Sequence, residues 1–440
     1  MAYNGRKFFE KETIEEKTRK YTRPYPIVTS QLRTLQQSLF APPVLRSPIH
    51  MQVPNQIIPV SFHMRGPMQV VPQQQSNVFS RKRRQDNTQI TFSGSNSSPN
   101  KRRKPLPTEV NQSRKTNVNF EQLTEEIINY SETHKQSDKM LQKKLHLRSA
   151  LLTLIRKNYP TASLHLVGSS CNGFATDSSD ADFCVMFTQE RKVDQRYEAC
   201  MYLQHIQRAF RTISSIKHIQ LIRATVPILK FEDSISGCEC DLNINNPTGI
   251  RNTHLMRTYS KVDDRVRPMV MIVKRWAKAR DINDASAGTL SSYSIVLMVL
   301  NYLQSGCDPP VLNSLQTLYP DFFNPTKNVD ELPMFEPADL IQCNRSRNKQ
   351  SVGELLKGFF NYYTNIFDYE TTIMSVRLGR KLPRSSLPAW RGKWICIEEP
   401  FDLTNTARAV RNYTYYSQII DEFKRAHNRM SVKMSLDNIL

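Results

Sequence analysis

The 440-residue chain carries 61 Lys and Arg against 40 Asp and Glu, a net charge of +21, and its eight Cys show neither a CxxC pair nor zinc-finger Cys/His spacing. No run approaches the ~18 apolar residues of a membrane span, and the opening MAYNGRKFFEKETIEEK lacks the apolar core of a secretory signal. A disulfide-stapled secreted domain and an integral membrane protein are thereby excluded, and a soluble intracellular protein with reduced thiols is expected.

Residues 1–115 hold 20 of the basic residues against 6 acidic ones, so +14 of the +21 sits there, with about half of the prolines. Gln and Ser clusters such as VVPQQQS and SGSNSSP carry no sustained hydrophobic period. Such a segment cannot bury enough apolar surface to offset its ordering entropy, which predicts a disordered tail. Its pieces YTRPYPIVTSQL and IIPVSFHM fit linker composition or short docking motifs. The basic clusters Arg81, Lys82, Arg83, Arg84 and Lys101, Arg102, Arg103, Lys104, some 16 residues apart, fit a bipartite nuclear import signal and equally a flexible arm that attracts RNA.

From Phe120 the composition changes. Leu141, Leu145, Leu152 and Ile155 share a helical face, predicting one long leading helix over 120–158 that ends near Pro160. In LHLVGSSCNGFATDSSDADFCVMF, Leu164 and Leu166 alternate with His165 and Val167 as in a strand. Gly168, Ser169 and Ser170 then make a small-residue turn whose backbone N–H groups can approach a phosphate. Asp180 and Asp182, two apart at the mouth of a second apolar run, point their carboxylates to one face. Ala199, Leu203, Ile206, Phe210 and Ile213 mark a helix laid on a sheet. Two strands follow around Ala224 to Pro227, and SGCECDLNINN places Asp241 in another, so that 160–246 reads as an α/β palm. Beyond Asn246 the period is helical in RPMVMIVKRWAKA, LSSYSIVLMVLNYLQ, SVGELLKGFFNYYTNIF and ARAVRNYTYYSQIIDEFKRAHNRM.

A lone Asp-x-Asp also suits a solvated turn. Three carboxylates on adjacent strands beside a phosphate-binding turn suit two hard cations, which need several oxygen ligands, in line with a triphosphate.

The pattern of Gly168, Ser169, Asp180, Asp182 and Asp241 resembles the DNA polymerase β-like nucleotidyltransferases. With GSSCNGF, SSDAD, CDLNINN, GIRNTHLMRTY, VKRWAKARDINDASAGTLSSYS and EEPFDLTNTARAV, roughly residues 118–440 resemble the vertebrate cytoplasmic poly(A) polymerases of the germline-development type. The resemblance implies an α+β fold: a tail over 1–115, a leading helix and nucleotidyltransferase palm with a mixed sheet over 116–249, and a mainly helical central domain over 250–440. The leading helix is expected to pack on that helical domain. The implied reaction is template-independent addition of AMP from ATP to RNA 3′ ends by two Mg²⁺ or Mn²⁺ ions, extending poly(A) tails of selected cytoplasmic mRNAs.

By the same resemblance Asp180, Asp182 and Asp241 are catalytic metal ligands. Gly168, Ser169, Lys274, Lys278 and Ser292 meet phosphate, Asn252 and Thr253 the ribose, and Tyr293 the base. Asn405 stands where related uridylyltransferases carry a base-selecting His, which points to ATP. Departures from the family pattern are Ala181 for Gly, Asp177 for a basic residue, and Cys240 beside the third carboxylate. The folded region shows no RNA-binding module, so sequence-specific RNA-binding proteins are the expected recruiters; no DNA and no membrane partner is expected. Localisation is expected to be cytoplasmic, with a nuclear fraction if the basic clusters are read for import. The alternatives are terminal uridylyl or oligoadenylyl transfer to small RNAs such as microRNAs, an inactive nucleotidyltransferase scaffold, and a metal-dependent glycosyltransferase, which would leave the third carboxylate without a place.

Overall fold

The computed structural model describes residues 108–187, 195–332 and 346–440; the basic clusters at Arg81 to Arg84 and Lys101 to Lys104 lie outside them. From Pro107 the chain meets no proline until Pro160, and helix α1 (Thr108–His134) begins within the stretch expected as tail up to 115. A second helix, α2 (Asp138–Arg156), starts under Ser137, whose hydroxyl accepts the Met140 N–H. The single leading helix expected over 120–158 is therefore two. Ser137 is an N-cap followed by an acid in the first turn, a stronger start signal than the apolar period is a continuation signal. The buried face of α2 is also rotated from expectation: Lys144, Leu151 and Ile155 lie at its centre, with Leu141, Leu145 and Leu152 half-buried beside them.

The palm follows in β1 (Ser163–Val167), the one-turn α3 (Ser169–Asn172), β2 (Ala181–Met186), α4 (Gln195–Phe210), β3 (Ile216–Ile222), β4 (Ile228–Asp233) and β5 (Cys238–Ile244). Its sheet runs in the order β1-β2-β5-β4-β3, with β2 and β5 parallel and the other pairs antiparallel. Leu164 and Leu166 of β1 meet Phe183 of β2 and the Ala199–Leu203–Ile206–Phe210 stripe of α4 in one core. Each fully buried Leu or Phe there contributes about 1.5–3 kcal/mol.

The rest of the chain forms α5 (Pro247–Val262), α6 (Val266–Ala279), α7 (Ser292–Ser305), α8 (Leu315–Leu318), α9 (Val352–Asn361), β6 (Thr372–Ser375), β7 (Arg380–Pro383), β8 (Ile397–Glu398), α10 (Tyr413–Val432) and α11 (Leu436–Ile439). The sheet β7-β6-β8 was not expected. Its strands are too short to display a period, and the one local signal is Gly379, whose φ of +63° makes the turn between β6 and β7. Helix α10 begins later than its apolar string, at Tyr413 under the Asn412 side chain, which accepts the Tyr415 N–H.

Helix α1 packs on α6 and α9, burying Leu123 and Ile127 with Trp276 and Phe360, whereas α2 packs on β1. Only half of the leading segment thus belongs to the helical domain; the other half belongs to the palm. The crossing lies at Lys135–Ser137. Among the described residues no helix is long and apolar enough to cross a membrane, and seven cysteines are free; Cys343 lies outside them.

Candidate active site

Parallel pairing of β2 with β5 sets Asp182 directly opposite Asp241, and the antiparallel pairing of β1 sets Val167 opposite Asp182. The chain leaving β1 therefore turns at Gly168 immediately beside the Asp182 carboxylate. Gly168 adopts φ +69° and ψ −149°, and a Cβ there would lie 2.3 Å from Asp182 Oδ2, so both the conformation and the space call for glycine. Ser169 opens the turn of α3, half-buried, and Asp180 is exposed just before β2.

The three carboxylates repel one another. The Asp182 carboxyl is pushed up to about 7, first by burial and then by Asp241 and Asp180, with Lys144 and Lys274 opposing. Burial likewise raises Asp241, against the pull of Lys230, which also pairs with Glu239 at 2.7 Å. Asp241 Oδ1 is buried without a hydrogen-bond partner among the described residues. A buried, unpartnered carboxylate oxygen beside two more carboxylates is an arrangement that a divalent cation relieves. The residues fit that group. Among the described residues no three such side chains close around a point. A cation such as Mg²⁺ is bound by one or two carboxylates, with water and substrate phosphate completing its ligands.

The helical domain reaches this site from the other side. Lys274 of α6 donates to the Phe174 carbonyl at 3.2 Å; burial lowers its pKa and Asp182 raises it. Lys278, one turn on, is exposed, as is Ser292 at the start of α7, whose hydroxyl donates to Asn283 Oδ1 at 3.1 Å. Helix α5 starts at the end of β5, with Asn246 Oδ1 accepting the Gly249 N–H and Pro247 in the first turn. That brings Asn252 beneath Tyr293, whose hydroxyl lies 2.7 Å from Asn252 Oδ1 and 3.1 Å from Glu399 Oε1. Glu399 is itself held by the N–H groups of Phe401 and Asp402 on Oε2.

Two residues expected to touch substrate have other occupations. Thr253 is buried; its hydroxyl donates to the Gly249 carbonyl at 2.8 Å and accepts the Gly168 N–H at 2.9 Å, fastening α5 to the phosphate turn. Asn405 is buried too: Oδ1 accepts the N–H groups of Ile397 and Ala407, and Nδ2 donates to the Ile395 carbonyl. Its Oδ1 is fully used and one of its two Nδ2–H bonds is committed in holding β8 to the following loop, which leaves a single N–H. Asp177, which departs from the family pattern, accepts the Ser137 N–H at 2.6 Å and anchors the start of α2. Sequence reasoning missed Glu399, which only its neighbourhood in EEPF could have flagged, and Lys144, whose signal is a cation on the buried face of α2.

Residues 123–261 match the family model described as the central palm domain of the mitochondrial-like poly(A) RNA polymerase, and residues 351–405 match that of the Cid1 family poly A polymerase. Poly(A) RNA polymerase GLD2 of Danio rerio is 45% identical over 320 residues, which cover 73% of this chain and 65% of that protein; the match thus spans just under two thirds of its length. The GLD-2 chain of a solved GLD-2/RNP-8 complex superposes with a TM-score of 0.63 at 38% identity, over 73% of this chain and 98% of that one. The Cid1 poly(U) polymerase with MgGTP bound superposes with a TM-score of 0.60 at 29% identity, over 72% and 97%.

Proposed function

Since the chain belongs to the Cid1 family of poly(A) polymerases, with GLD2 among its relatives, we propose that it transfers AMP from ATP to RNA 3′ ends and lengthens the poly(A) tails of selected mRNAs. The observation that carries the proposal is the side-by-side placement of Asp182 and Asp241 under the Gly168 turn, with the Asp241 Oδ1 atom buried and unpartnered. In the reaction a bond forms between the RNA 3′ oxygen and the α-phosphorus, and the bond to the β-phosphate oxygen breaks, releasing pyrophosphate. Asp180, Asp182 and Asp241 would hold two Mg²⁺ or Mn²⁺ ions, which when bound lower the pKa of the attacking hydroxyl and offset charge on the phosphates.

The chain's own contribution is placement and charge. The backbone of the Gly168–Ser169 turn receives the β and γ phosphates without a side chain in the way. The Lys274 and Lys278 ammoniums face them from α6, four residues apart and so on one side of the helix. Asn252, Tyr293 and Glu399 form one hydrogen-bonded unit at the nucleoside end, with the Tyr293 ring as the stacking surface. Thr253 keeps the turn and that unit at a fixed separation.

A solved GLD-2 is a complex with a protein, RNP-8, and the described residues hold no recognised RNA-binding module. Recruitment by sequence-specific RNA-binding proteins therefore supplies the target choice, by raising effective concentration at an mRNA 3′ end. We place the enzyme in the cytoplasm, with a nuclear fraction if the two basic clusters serve import rather than act as an arm that attracts RNA. The test extends a labelled oligo(A) primer with the full chain, Mg²⁺ and each NTP separately, beside Asp182→Ala. An ATP-dependent ladder lost in the variant is expected. Equal extension with UTP would replace adenylyl by uridylyl transfer, and no extension with any NTP would leave a scaffold.

A further inference from the structure

Lys144 is fully buried, yet its ammonium lies in the palm directly behind the carboxylates. It donates to the Ser179 carbonyl at 2.7 Å, Ser170 Oγ at 2.9 Å and Gln136 Oε1 at 3.0 Å, with the Asp180 carbonyl at 3.4 Å sharing the fork. Three strong acceptors match the three N–H bonds of an ammonium. Around it the network closes on itself: Ser170 Oγ donates to the Asp180 carbonyl at 3.2 Å, and Gln136 Nε2 donates to the Ser170 carbonyl at 3.1 Å. The Gln136 backbone N–H adds a bond to the Ala175 carbonyl at 2.8 Å.

Burying an ammonium is costly unless every N–H is paired, and an apolar side chain at this place would continue the stripe of Leu151 and Ile155. What the charge provides instead is a tie between two segments that carry different parts of the site. One is the turn through Ser170, which follows the phosphate-binding Gly168. The other is the Ser179–Asp180 backbone, which delivers the first carboxylate. We infer that Lys144 is a positioning residue, which with Gln136 holds the phosphate turn and the Asp180 backbone at a fixed separation from beneath. It touches no substrate, since it has no exposed surface. The inference rests on the functional reading above for what the two segments do, and on the hydrogen bonds alone for what Lys144 does to them.

The experiment uses the full chain as Lys144→Met, which keeps the length and removes the charge, and as Gln136→Met, which removes one acceptor and one donor and leaves the ammonium. Hydrogen exchange of the metal-free proteins is read peptide by peptide, and kcat and KM are measured at saturating Mg²⁺. In Lys144→Met, peptides over 168–183 should exchange roughly tenfold faster or more while those of α10 keep their rate. Its kcat should fall roughly 10- to 100-fold with the KM for ATP within about threefold. Gln136→Met should show the same pattern at about threefold in each readout, and it decides the matter if Lys144→Met does not fold. Uniformly faster exchange over all peptides would reduce Lys144 to a general stabiliser and overturn the inference. So would unchanged exchange over 168–183, or a raised KM with kcat retained. If the unaltered chain transfers no AMP, the functional reading fails, while the exchange pattern still decides whether Lys144 orders these two segments.

Discussion

Replacing Gly168 by Ala places a methyl group against the reacting centre. The new Cβ would stand 2.3 Å from Asp182 Oδ2 and 3.1 Å from its Cγ, whereas ordinary contact begins at 3.4 Å, so the carboxylate has to retreat by roughly 1 Å. The backbone adds a separate cost. At φ +69° and ψ −149° only glycine is at ease, and another residue loses about 1–3 kcal/mol. A displacement of that size at a reacting group costs about 100-fold in rate, or about 2.7 kcal/mol of transition-state stabilisation. Gly237→Ala separates the two contributions, because Gly237 also has positive φ, +73°, but nothing within 4 Å of its Cβ position. Urea melts and primer extension with ATP on both variants are the assay. Gly237→Ala should lose about 1–2 kcal/mol of stability and keep its rate; Gly168→Ala should lose both. A Gly168→Ala protein extending primer within about threefold of the unaltered rate would show that the contact with Asp182 does not position it.

Without metal, Asp182 ionises at about 7 in the folded chain and near the usual 3.8 when unfolded, so the folded state binds the extra proton. Its contribution is fully present at low pH and is lost as pH rises from about 4 to 7; urea melts in chelator should show that decline, and Asp182→Asn should flatten it. Tyr293→Phe leaves Glu399 Oε1 and Asn252 Oδ1 without the hydroxyl between them. A stability loss of about 1–3 kcal/mol and a higher KM for ATP are expected, read by melts and initial rates. Asn405→Ala removes three backbone hydrogen bonds in a buried loop and should cost about 2–4 kcal/mol. Its three bonds to the backbone serve the fold, and a structural role alone leaves the ratio of ATP to UTP incorporation unchanged in a competition assay; a shift toward UTP would show that the remaining Nδ2–H bears on the base.

Asp182 and Asp241 are legible as partners because each sits in an apolar run that announces a strand; Asp180 falls just before β2, so its spacing of two from Asp182 is not a strand spacing. Lys144 was not legible. A lysine on an amphipathic helix is ordinarily solvated, and only the depth of α2 in the palm and the acceptors gathered at its tip distinguish it. Thr253 and Asn405 show the converse. A hydroxyl or amide suits a ligand or a backbone equally well, and the choice is made by tertiary geometry that no spacing encodes. The break at Lys135–Ser137 carried a local sign, Ser137 followed by Asp138, which the apolar period on either side concealed.

The seating of α1 on α9 sets a schedule for synthesis. The Gly353 N–H donates to Thr124 Oγ1 across 229 residues, and a Cβ on Gly353 would come within 2.9 Å of the Phe120 carbonyl, so the two helices meet backbone to backbone. At about 5–20 residues per second, the ribosome needs roughly 10–50 s after making α1 before its partner exists. Through that interval the palm can close on β1 to β5, whereas Leu123 and Ile127 have only part of their destination. The nascent chain thus carries an unmatched apolar stripe past a finished nucleotidyltransferase sheet. Slower elongation lengthens that exposure in proportion.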